Sequence, residues 1–308
     1  MWTKKGLIYT VAGEHDWDKT HAQVPVADIL SDRVRIFFAT RDSAGRANIS
    51  FVDVNPADLS KIIEISDRTL LPFGRPGTFD DSGIMPSSIV HAGDRKFLYY
   101  VGWTTRQTVP YHNSVGLAVS DDGGETYNKY SEGPIITTNH REPYFSGTAL
   151  VRLEGSLFRM WYLSCIGWEL HDGKQEPLYN IKYSESRDGI NWDQTGKVAI
   201  DLQGDEGGIV SAAVIHEGDV YKMWYGKRKK SGYRENKQKS YRIGYAESPN
   251  GIDWTRMDEK AGIDVSASGW DSEMMSYPYV FTNNNQLIML YNGNGFGLSG
   301  FGYAIWRK

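Results

Sequence analysis

Cysteine is almost absent from this chain of 308 residues, in which Cys165 is the only one. A disulfide within the chain is therefore excluded, and so are metal sites built from paired cysteines. Long apolar runs are also missing, since none approaches the roughly 20 residues that a membrane-spanning helix needs. The first residues, 1–6, show neither the apolar core nor the small-residue cleavage site of a secretion signal. A cytoplasmic location is the expectation, without a membrane partner.

Positive charge is not in excess either. The formal net charge is -4, so the sequence offers no basic surface with which to neutralise a phosphate backbone. Nucleic acid is therefore not an expected partner, and the composition leaves the oligomeric state open. Aromatic residues, by contrast, are abundant: 10 Trp and 19 Tyr favour β-strands.

One strand-like segment recurs five times along the chain, at 35–40, 97–102, 158–163, 221–226 and 287–292. The copies align Phe38, Tyr100, Tyr162, Tyr225 and Tyr291 at one position. Each copy follows a strand with small residues and precedes an alternating strand. Repeats of roughly 62 residues, each an antiparallel meander, predict an all-β five-bladed β-propeller that forms a single domain over 1–308. An irregular β-sandwich is the alternative.

The two ends of the chain are predicted to meet. The strand-like segment 7–11 is expected to complete the last blade beside the C-terminal strand, which would hide two sheet edges. Three of the alternating strands lead into similar turns at 120–127, 186–192 and 248–254. Asp-Gly and Asn-Gly pairs are typical of hairpins. These turns are predicted to lie on the face opposite the site and to be structural.

A set of ionisable residues stands about five positions before each inner strand. The starts of the first strands and the ends of the second strands share one face, because consecutive strands reverse direction. The set, with a slip of one residue in the last copy, is His21, Asp81, Glu142, Glu206 and Glu273. We expect it to converge on the mouth of the central channel, where crowded acids separate into a proton donor and an acceptor. Solvated loop acids, or ligands of a structural cation in the channel, are the alternatives.

The ends of the second strands add polar and aromatic side chains to that face. Flat aromatic rings suit the C–H faces of sugars, and Arg, Asn and His can bond hydroxyl or carboxylate groups. A rim loop, 269–277, is expected to add to them. The candidate substrate-binding residues are Arg41, Trp103, Arg141, Trp168, Arg228, Glu273, Tyr277, Asn292 and Asn294.

These features resemble the five-bladed furanosidase-like glycoside hydrolases: arabinanases, β-xylosidases, invertases and levansucrases, with the related mannoside phosphorylases. The similarity rests on the Met-Trp-Tyr strands at 160–162 and 223–225, the turns at Ser186 and Ser248, and the acids before the inner strands. The run Arg141-Glu142-Pro143 is similar to the Arg-Asp-Pro motif of invertases, with Glu in place of Asp.

The resemblance implies a trio of catalytic carboxylates and no required cofactor. Asp81 would be the base or nucleophile, and Glu142 or Glu206 the acid. The family's early aspartate is missing, because the stretch 20–25 offers His21 and Gln23 instead, while Asp16 and Asp18 are interpreted as out of register. His21 could then serve as a base.

The function expected from the sequence is a glycosidase or a related glycosyl-transferring enzyme that acts on a saccharide by carboxylate acid–base chemistry. A carbohydrate-binding propeller without catalytic activity is the second hypothesis. A sialidase-like enzyme is the third, because the segment 120–127 fits the Asp-box pattern; five units rather than six argue against it.

Overall fold

The computed structural model describes residues 1–307, and its regular structure is almost entirely β. The only helical segments in this range are a 3-10 turn at Asp258–Lys260 and a short turn at Asn294–Gly297. No helix in the described part of the chain is long and apolar enough to cross a membrane.

The strands form five antiparallel meanders in chain order, preceded by β1 (Trp2–Tyr9). The first contains β2 (Thr20–Ile29), β3 (Val34–Arg41), β4 (Ala47–Asn55) and β5 (Asp58–Ile65). The second contains β6 (Gly83–Ala92), β7 (Arg95–Thr105), β8 (Tyr111–Ser120) and β9 (Asn128–Lys129). The third contains β10 (Ser146–Glu154), β11 (Leu157–His171), β12 (Lys174–Ser186) and β13 (Val198–Ile200). The fourth contains β14 (Glu206–Glu217), β15 (Val220–Lys229), β16 (Arg242–Ser248) and β17 (Thr255–Arg256). The fifth contains β18 (Ser276–Asn283), β19 (Gln286–Asn292) and β20 (Phe301–Trp306).

The first strands of the meanders, β2, β6, β10, β14 and β18, each contact the next, and β18 contacts β2. Small hydroxyl side chains make this approach possible because they bond the backbone of the neighbouring strand. The Ser87 hydroxyl donates to the Ala149 carbonyl at 2.9 Å, and the Ser211 amide donates to the Thr148 hydroxyl at 3.2 Å. From the last inner strand, Tyr279 donates to the Ala27 carbonyl of the first at 3.2 Å. The inner strands therefore form a closed cycle around a channel.

Every inner strand carries a register irregularity near its beginning. In β2, β14 and β18 it coincides with a positive φ, at Val24 (52°), Ser211 (51°) and Tyr277 (52°). A bulge bends a strand and changes the direction of its side chains. The side chains that enter the channel are therefore not those that simple alternation would place there.

The predicted joining of the two ends is confirmed. β1 pairs antiparallel with β20 and completes the fifth meander. Trp2 packs edge-on against Trp224 and Trp306, with ring centroids 5.3 and 5.2 Å apart. The predicted equivalence of the aromatic position in the second strands also holds, because Phe38, Tyr100, Tyr162, Tyr225 and Tyr291 are all fully buried.

The repeated turns have the structural role that the sequence predicted. In one of them the Ser186 hydroxyl donates to Asp188 at 2.9 Å and accepts from the Gly189 amide at 2.9 Å. The Gly189 carbonyl accepts a bond of 2.9 Å from the Tyr99 hydroxyl of the preceding meander. Trp161 donates in the same way to Gly251 at 2.8 Å. Each of these turns therefore ties one meander to its neighbour.

Candidate functional site

A cavity of about 350 Å³ opens at the end of the channel where the inner strands begin. Side chains from all five meanders line it, so residues far apart in the sequence meet there. The lining consists of His21, Gln23, Val24, Arg41, Met85, Val101, Trp103, Tyr111, Asn113, Phe145, Gly147, Thr148, Leu163, Tyr179, Val210, Tyr233, Arg234, Tyr241, Tyr277 and Phe296.

Aromatic rings form a large part of the cavity wall. Tyr111 and Phe145 pack with their ring centroids 5.4 Å apart. Both rings also pack against Trp168, which lies behind them. Across the wall, Tyr241 stacks with Tyr277, and their ring centroids are 6.5 Å apart. Such surfaces combine flat apolar faces with hydroxyl groups at their edges.

A buried arginine supports two of the wall tyrosines. Arg228 Nε donates to the hydroxyl oxygens of Tyr179 and Tyr241 at 3.0 and 3.3 Å, and these two hydroxyls also bond each other. The Tyr179 ring fits only because residue 208 is glycine, since a Cβ there would collide with the ring. Arg228 makes no ion pair among the described residues.

A second aromatic and cationic group closes one side of the cavity. The guanidinium groups of Arg228 and Arg234 lie 4.0 and 4.3 Å from the centroid of the Tyr233 ring. The Tyr233 hydroxyl donates to Glu176 at 2.7 Å, and Glu176 also pairs with Arg234. Glu176 lies behind the wall and is not among the residues that line the cavity.

Arg41 and His21 lie together at the first meander. Arg41 Nε donates to the Gln23 side chain at 3.0 Å, and burial lowers the pKa of this guanidinium, which nevertheless stays protonated at neutral pH. His21 has a positive φ of 64°. Burial, with the charge of Arg41 as a second cause, lowers the pKa of His21 to about 4. The imidazole is therefore neutral at pH 7.

The acids that the sequence analysis expected at the channel mouth do not line this cavity. Glu142 is 1% exposed and accepts hydrogen bonds from Tyr162 at 2.7 Å and Ser164 at 2.9 Å. Glu206 is buried and pairs with Arg256, at 2.8 and 2.7 Å. Asp81 accepts from the Gly77 amide at 2.9 Å and the Ser82 hydroxyl at 2.7 Å. Glu273 is exposed.

The four carboxylates therefore do not meet among the lining residues of this cavity, and the repeat itself gives a reason. Asp80, Glu142 and Asp271 each stand 20 residues before a buried tyrosine. Each carboxylate accepts a hydrogen bond from the hydroxyl of that tyrosine, with oxygen–oxygen distances of 3.0, 2.7 and 3.1 Å. The recurring acid holds a strand tyrosine inside its own meander. Counting back from the inner strands selected Asp81 and Glu273, whereas the bonded acids are their neighbours Asp80 and Asp271.

The first meander also follows this spacing. Asp18 is buried and stands at the same distance in the sequence before Phe38, so it shares the spacing of the other three acids to the second strand. Phe38 has no hydroxyl group, and Asp18 instead accepts a 2.7 Å bond from the His15 amide. Among residues 1–307, no group of three or more His, Cys, Asp or Glu is placed to hold a metal ion.

The substrate-binding candidates divide into three groups. Arg41, Trp103 and Tyr277 line the cavity, as does the catalytic candidate His21, and Trp168 and Arg228 support its wall from behind. The others take no part in the wall. Asn292 is buried and bonds the first meander at Val24 and Ala22, Asn294 accepts from the amides of Glu273 and Met274, and Arg141 is exposed.

Sequence reasoning missed a repeated cavity position. Asn113, Tyr179 and Tyr241 each stand two residues before an equivalent apolar residue of a third strand, at Val115, Ile181 and Ile243. The beginnings of the third strands share a face with the ends of the second strands, so this signal was available. Tyr233, Arg234 and Phe296 come from irregular connections that no repeat predicts.

Comparison with known proteins places the chain in a family. No protein-family model matches it. Two proteins of Mycobacterium tuberculosis, "Uncharacterized protein Rv1502" of strain H37Rv and "Uncharacterized protein MT1551" of strain CDC 1551, are 38% identical over 306 residues, which covers 99% of this chain and 98% of each relative. The chain belongs to their family.

Solved structures show the same fold at much lower identity. One glycoside hydrolase has a TM-score of 0.70 at 17% identity, and the match covers 98% of this chain and 91% of that protein. A thermostable family-43 glycoside hydrolase has a TM-score of 0.70 at 15% identity, with coverage of 96% and 90%. The Bombyx mori GH32 beta-fructofuranosidase BmSUC1 has a TM-score of 0.63 at 15% identity, with coverage of 93% and 61%. The resemblance in fold to the furanosidase-like propeller glycoside hydrolases is thereby confirmed.

Proposed function

We propose that this protein recognises a saccharide in the cavity at the mouth of its channel. The observation that carries the proposal is the lining itself, in which aromatic rings alternate with hydroxyl, amide and guanidinium groups. Aromatic faces pack against the C–H faces of a sugar ring, while Gln23, Asn113 and Thr148 can exchange hydrogen bonds with its hydroxyl groups. The glycoside hydrolase fold of the structural neighbours supports the same class of ligand.

The size of the cavity suits a short ligand. Its volume of about 350 Å³ lies near the lower end of the range for small-molecule sites. A short saccharide or the end of a chain fits such a volume better than the middle of a polymer does.

Binding is better supported than hydrolysis by a carboxylate pair. Glycosidases ordinarily place two carboxyl groups on either side of the scissile bond, roughly 5–9.5 Å apart. The residues that line this cavity include no Asp or Glu within the described chain. Asp81, Glu142 and Glu206 bond other groups of the protein instead.

The experiment is a saccharide array followed by titration calorimetry on the purified protein. We expect Trp103→Ala to weaken binding of the selected saccharide by about tenfold or more, because the half-buried Trp103 contributes a flat face. Tyr130→Ala is the matched control, since Tyr130 is exposed and outside the cavity. The proposal fails if no saccharide binds, or if Trp103→Ala binds as tightly as the wild type.

A turnover assay on the same saccharides separates binding from catalysis. Asp81→Asn, Glu142→Gln and Glu206→Gln are compared with the wild type, and each fold is checked by urea unfolding. If the wild type turns over a saccharide and one of these folded variants does not, the function is not binding alone. The carboxylate replaced in that variant is then catalytic. Binding without turnover is the expected outcome.

A further inference from the structure

We infer that the saccharide carries a negative charge, and that Arg41 is the residue that binds it. This inference rests on the proposed function and narrows it to acidic saccharides, in which a carboxylate or phosphate group is attached to the sugar.

The charge of the cavity wall is positive. Arg41 and Arg234 line the cavity, and no Asp or Glu of the described residues does. Glu176 pairs with Arg234 from behind the wall and neutralises that charge. Arg41 has no such partner, because no ion pair joins it to any carboxylate within residues 1–307. Its charge is therefore left for a ligand.

Arg41 is held in position before any ligand arrives. Its Nε donates to Gln23 at 3.0 Å, and its Nη1 donates to the Gly45 carbonyl at 3.2 Å. Gln23 is itself fixed, because its side-chain amide donates to the Phe296 carbonyl at 2.5 Å. No hydrogen bond from Nη2 is found in the described structure, so this end of the guanidinium can donate to an anion. A guanidinium fixed in this way binds planar or tetrahedral oxyanions with little loss of entropy.

The wall tyrosines Tyr179 and Tyr241 have a second cation, Arg228, behind them. The hydroxyl oxygens of Tyr179 and Tyr241 both accept from Arg228, and one of their two protons is used in the bond between them. The other hydroxyl proton has no acceptor within the described residues. Since Arg228 also lacks a carboxylate partner there, its buried positive charge favours a negative group nearby.

The positive charges of the cavity wall make an anionic ligand energetically favourable. A guanidinium that is largely withdrawn from water and has no counter-ion is unfavourable in the empty protein. An anionic ligand supplies the missing counter-ion and makes charge-assisted hydrogen bonds, whereas a neutral sugar leaves Arg41 unbalanced. The preference for an acidic saccharide is therefore a property of the cavity.

The test compares matched acidic and neutral sugars by titration calorimetry. Galacturonic acid is paired with galactose, and glucose 6-phosphate with glucose; inorganic phosphate tests whether the anion alone suffices. We expect at least one acidic member to bind tenfold or more tightly than its neutral partner. The pair that shows the difference identifies the anion as a carboxylate or a phosphate.

Variants assign the difference to Arg41. Arg41→Gln should weaken the acidic member more than the neutral one and bring the ratio of the two affinities to within about threefold of one. Arg187→Gln is the control, because Arg187 is exposed in a turn outside the cavity, and it should behave as the wild type. Raising the salt concentration should weaken only the acidic member.

Four results would overturn the inference. If neutral members bind as tightly as acidic ones, the ligand is not selected by charge, although the cavity still binds saccharides. If Arg41→Gln weakens both members equally, Arg41 is not the residue that binds the negative charge. If only neutral saccharides bind on the array, the inference fails alone. If no saccharide of either kind binds, the proposed function fails with it.

Discussion

At the scale of single residues, the contacts of the repeated acids show what these residues do. Glu142 belongs to a position that recurs through the chain, and its carboxylate lies among Tyr162, Ser164 and Lys182 inside its own meander. All three of these partners belong to the same meander as Glu142, so the carboxylate contributes to the packing of that unit. The acid therefore recurs because each meander packs in the same way. Contact with a ligand would not require the same residue type in every meander.

His21 provides a prediction at this scale. Its pKa of about 4 in the folded protein lies below its ordinary value of 6.5, so the unfolded chain binds more protons between these pH values. The contribution of His21 to stability is therefore complete above about pH 6.5 and is lost as the pH falls toward 4. Replacing it by Gln removes this dependence.

The measurement is urea unfolding of the wild type and His21→Gln from pH 7.5 to pH 4. We expect the difference in free energy of unfolding between the two proteins to become less favourable to the wild type as the pH falls. His140→Gln is the control, because His140 is exposed. Parallel pH profiles for the wild type and His21→Gln would show that His21 does not titrate in this way.

At the scale of elements, local sequence signals were sufficient to predict most of the strands and turns. Strands, hairpin turns and the closing N-terminal strand were predicted because each depends on short-range chemistry: alternation of apolar residues, positive φ at Gly or Asn, and an edge that needs a partner. The bulges in the inner strands were not predicted. They depend on how closely the strands crowd around the channel, which no single segment encodes.

The turn at 186–189 allows a test at the scale of elements. Gly189 has a φ of 73°, and a Cβ there would lie 2.7 Å from the Tyr99 hydroxyl oxygen. Gly155 has a similar φ of 63° but open space around it. Both Gly→Ala variants should lose about 1–2 kcal/mol through backbone strain, and Gly189→Ala should lose about 1–3 kcal/mol more through the clash.

Urea unfolding of the two variants measures the difference. Because the two glycines share their backbone conformation, the excess loss at Gly189 reports the added contacts of the Cβ, of which the Tyr99 hydroxyl of the neighbouring meander is the nearest and the Phe158 ring, at 3.0 Å, the next. Equal stability of the two variants would mean that this turn does not hold the meanders together.

At the scale of the whole molecule, closure of the ring brings the cavity residues together. His21 and Tyr277 stand near opposite ends of the sequence, yet both line one cavity because β18 contacts β2 and β1 completes the last meander. Anything that loosens the last meander should therefore affect both stability and the binding site.

Trp2 is the residue with which to test closure. It is 5% exposed and packs against Trp224 and Trp306, so Trp2→Ala should lower the free energy of unfolding by about 3–5 kcal/mol. Trp2→Phe should cost less, because the indole nitrogen has no hydrogen-bond partner in the described structure. Met1→Ala is the control, since Met1 is exposed.

Denaturation curves and ligand titration on these variants provide the measurement. We expect Trp2→Ala to weaken saccharide binding together with stability, whereas Met1→Ala changes neither. A stable Trp2→Ala protein would show that the terminal strand contributes little to holding the ring closed.

The amino-acid sequence by itself determined the repeated strands, their buried aromatic position, the structural turns and the meeting of the two ends. These features follow from hydrophobic alternation and turn chemistry, which act between near neighbours or recur at a fixed interval. Only the tertiary structure decided which side chains face the cavity. Bulges redirect the inner strands, and Tyr233, Arg234 and Phe296 arrive on irregular connections, so the site depends on distances between meanders that the order of residues does not express.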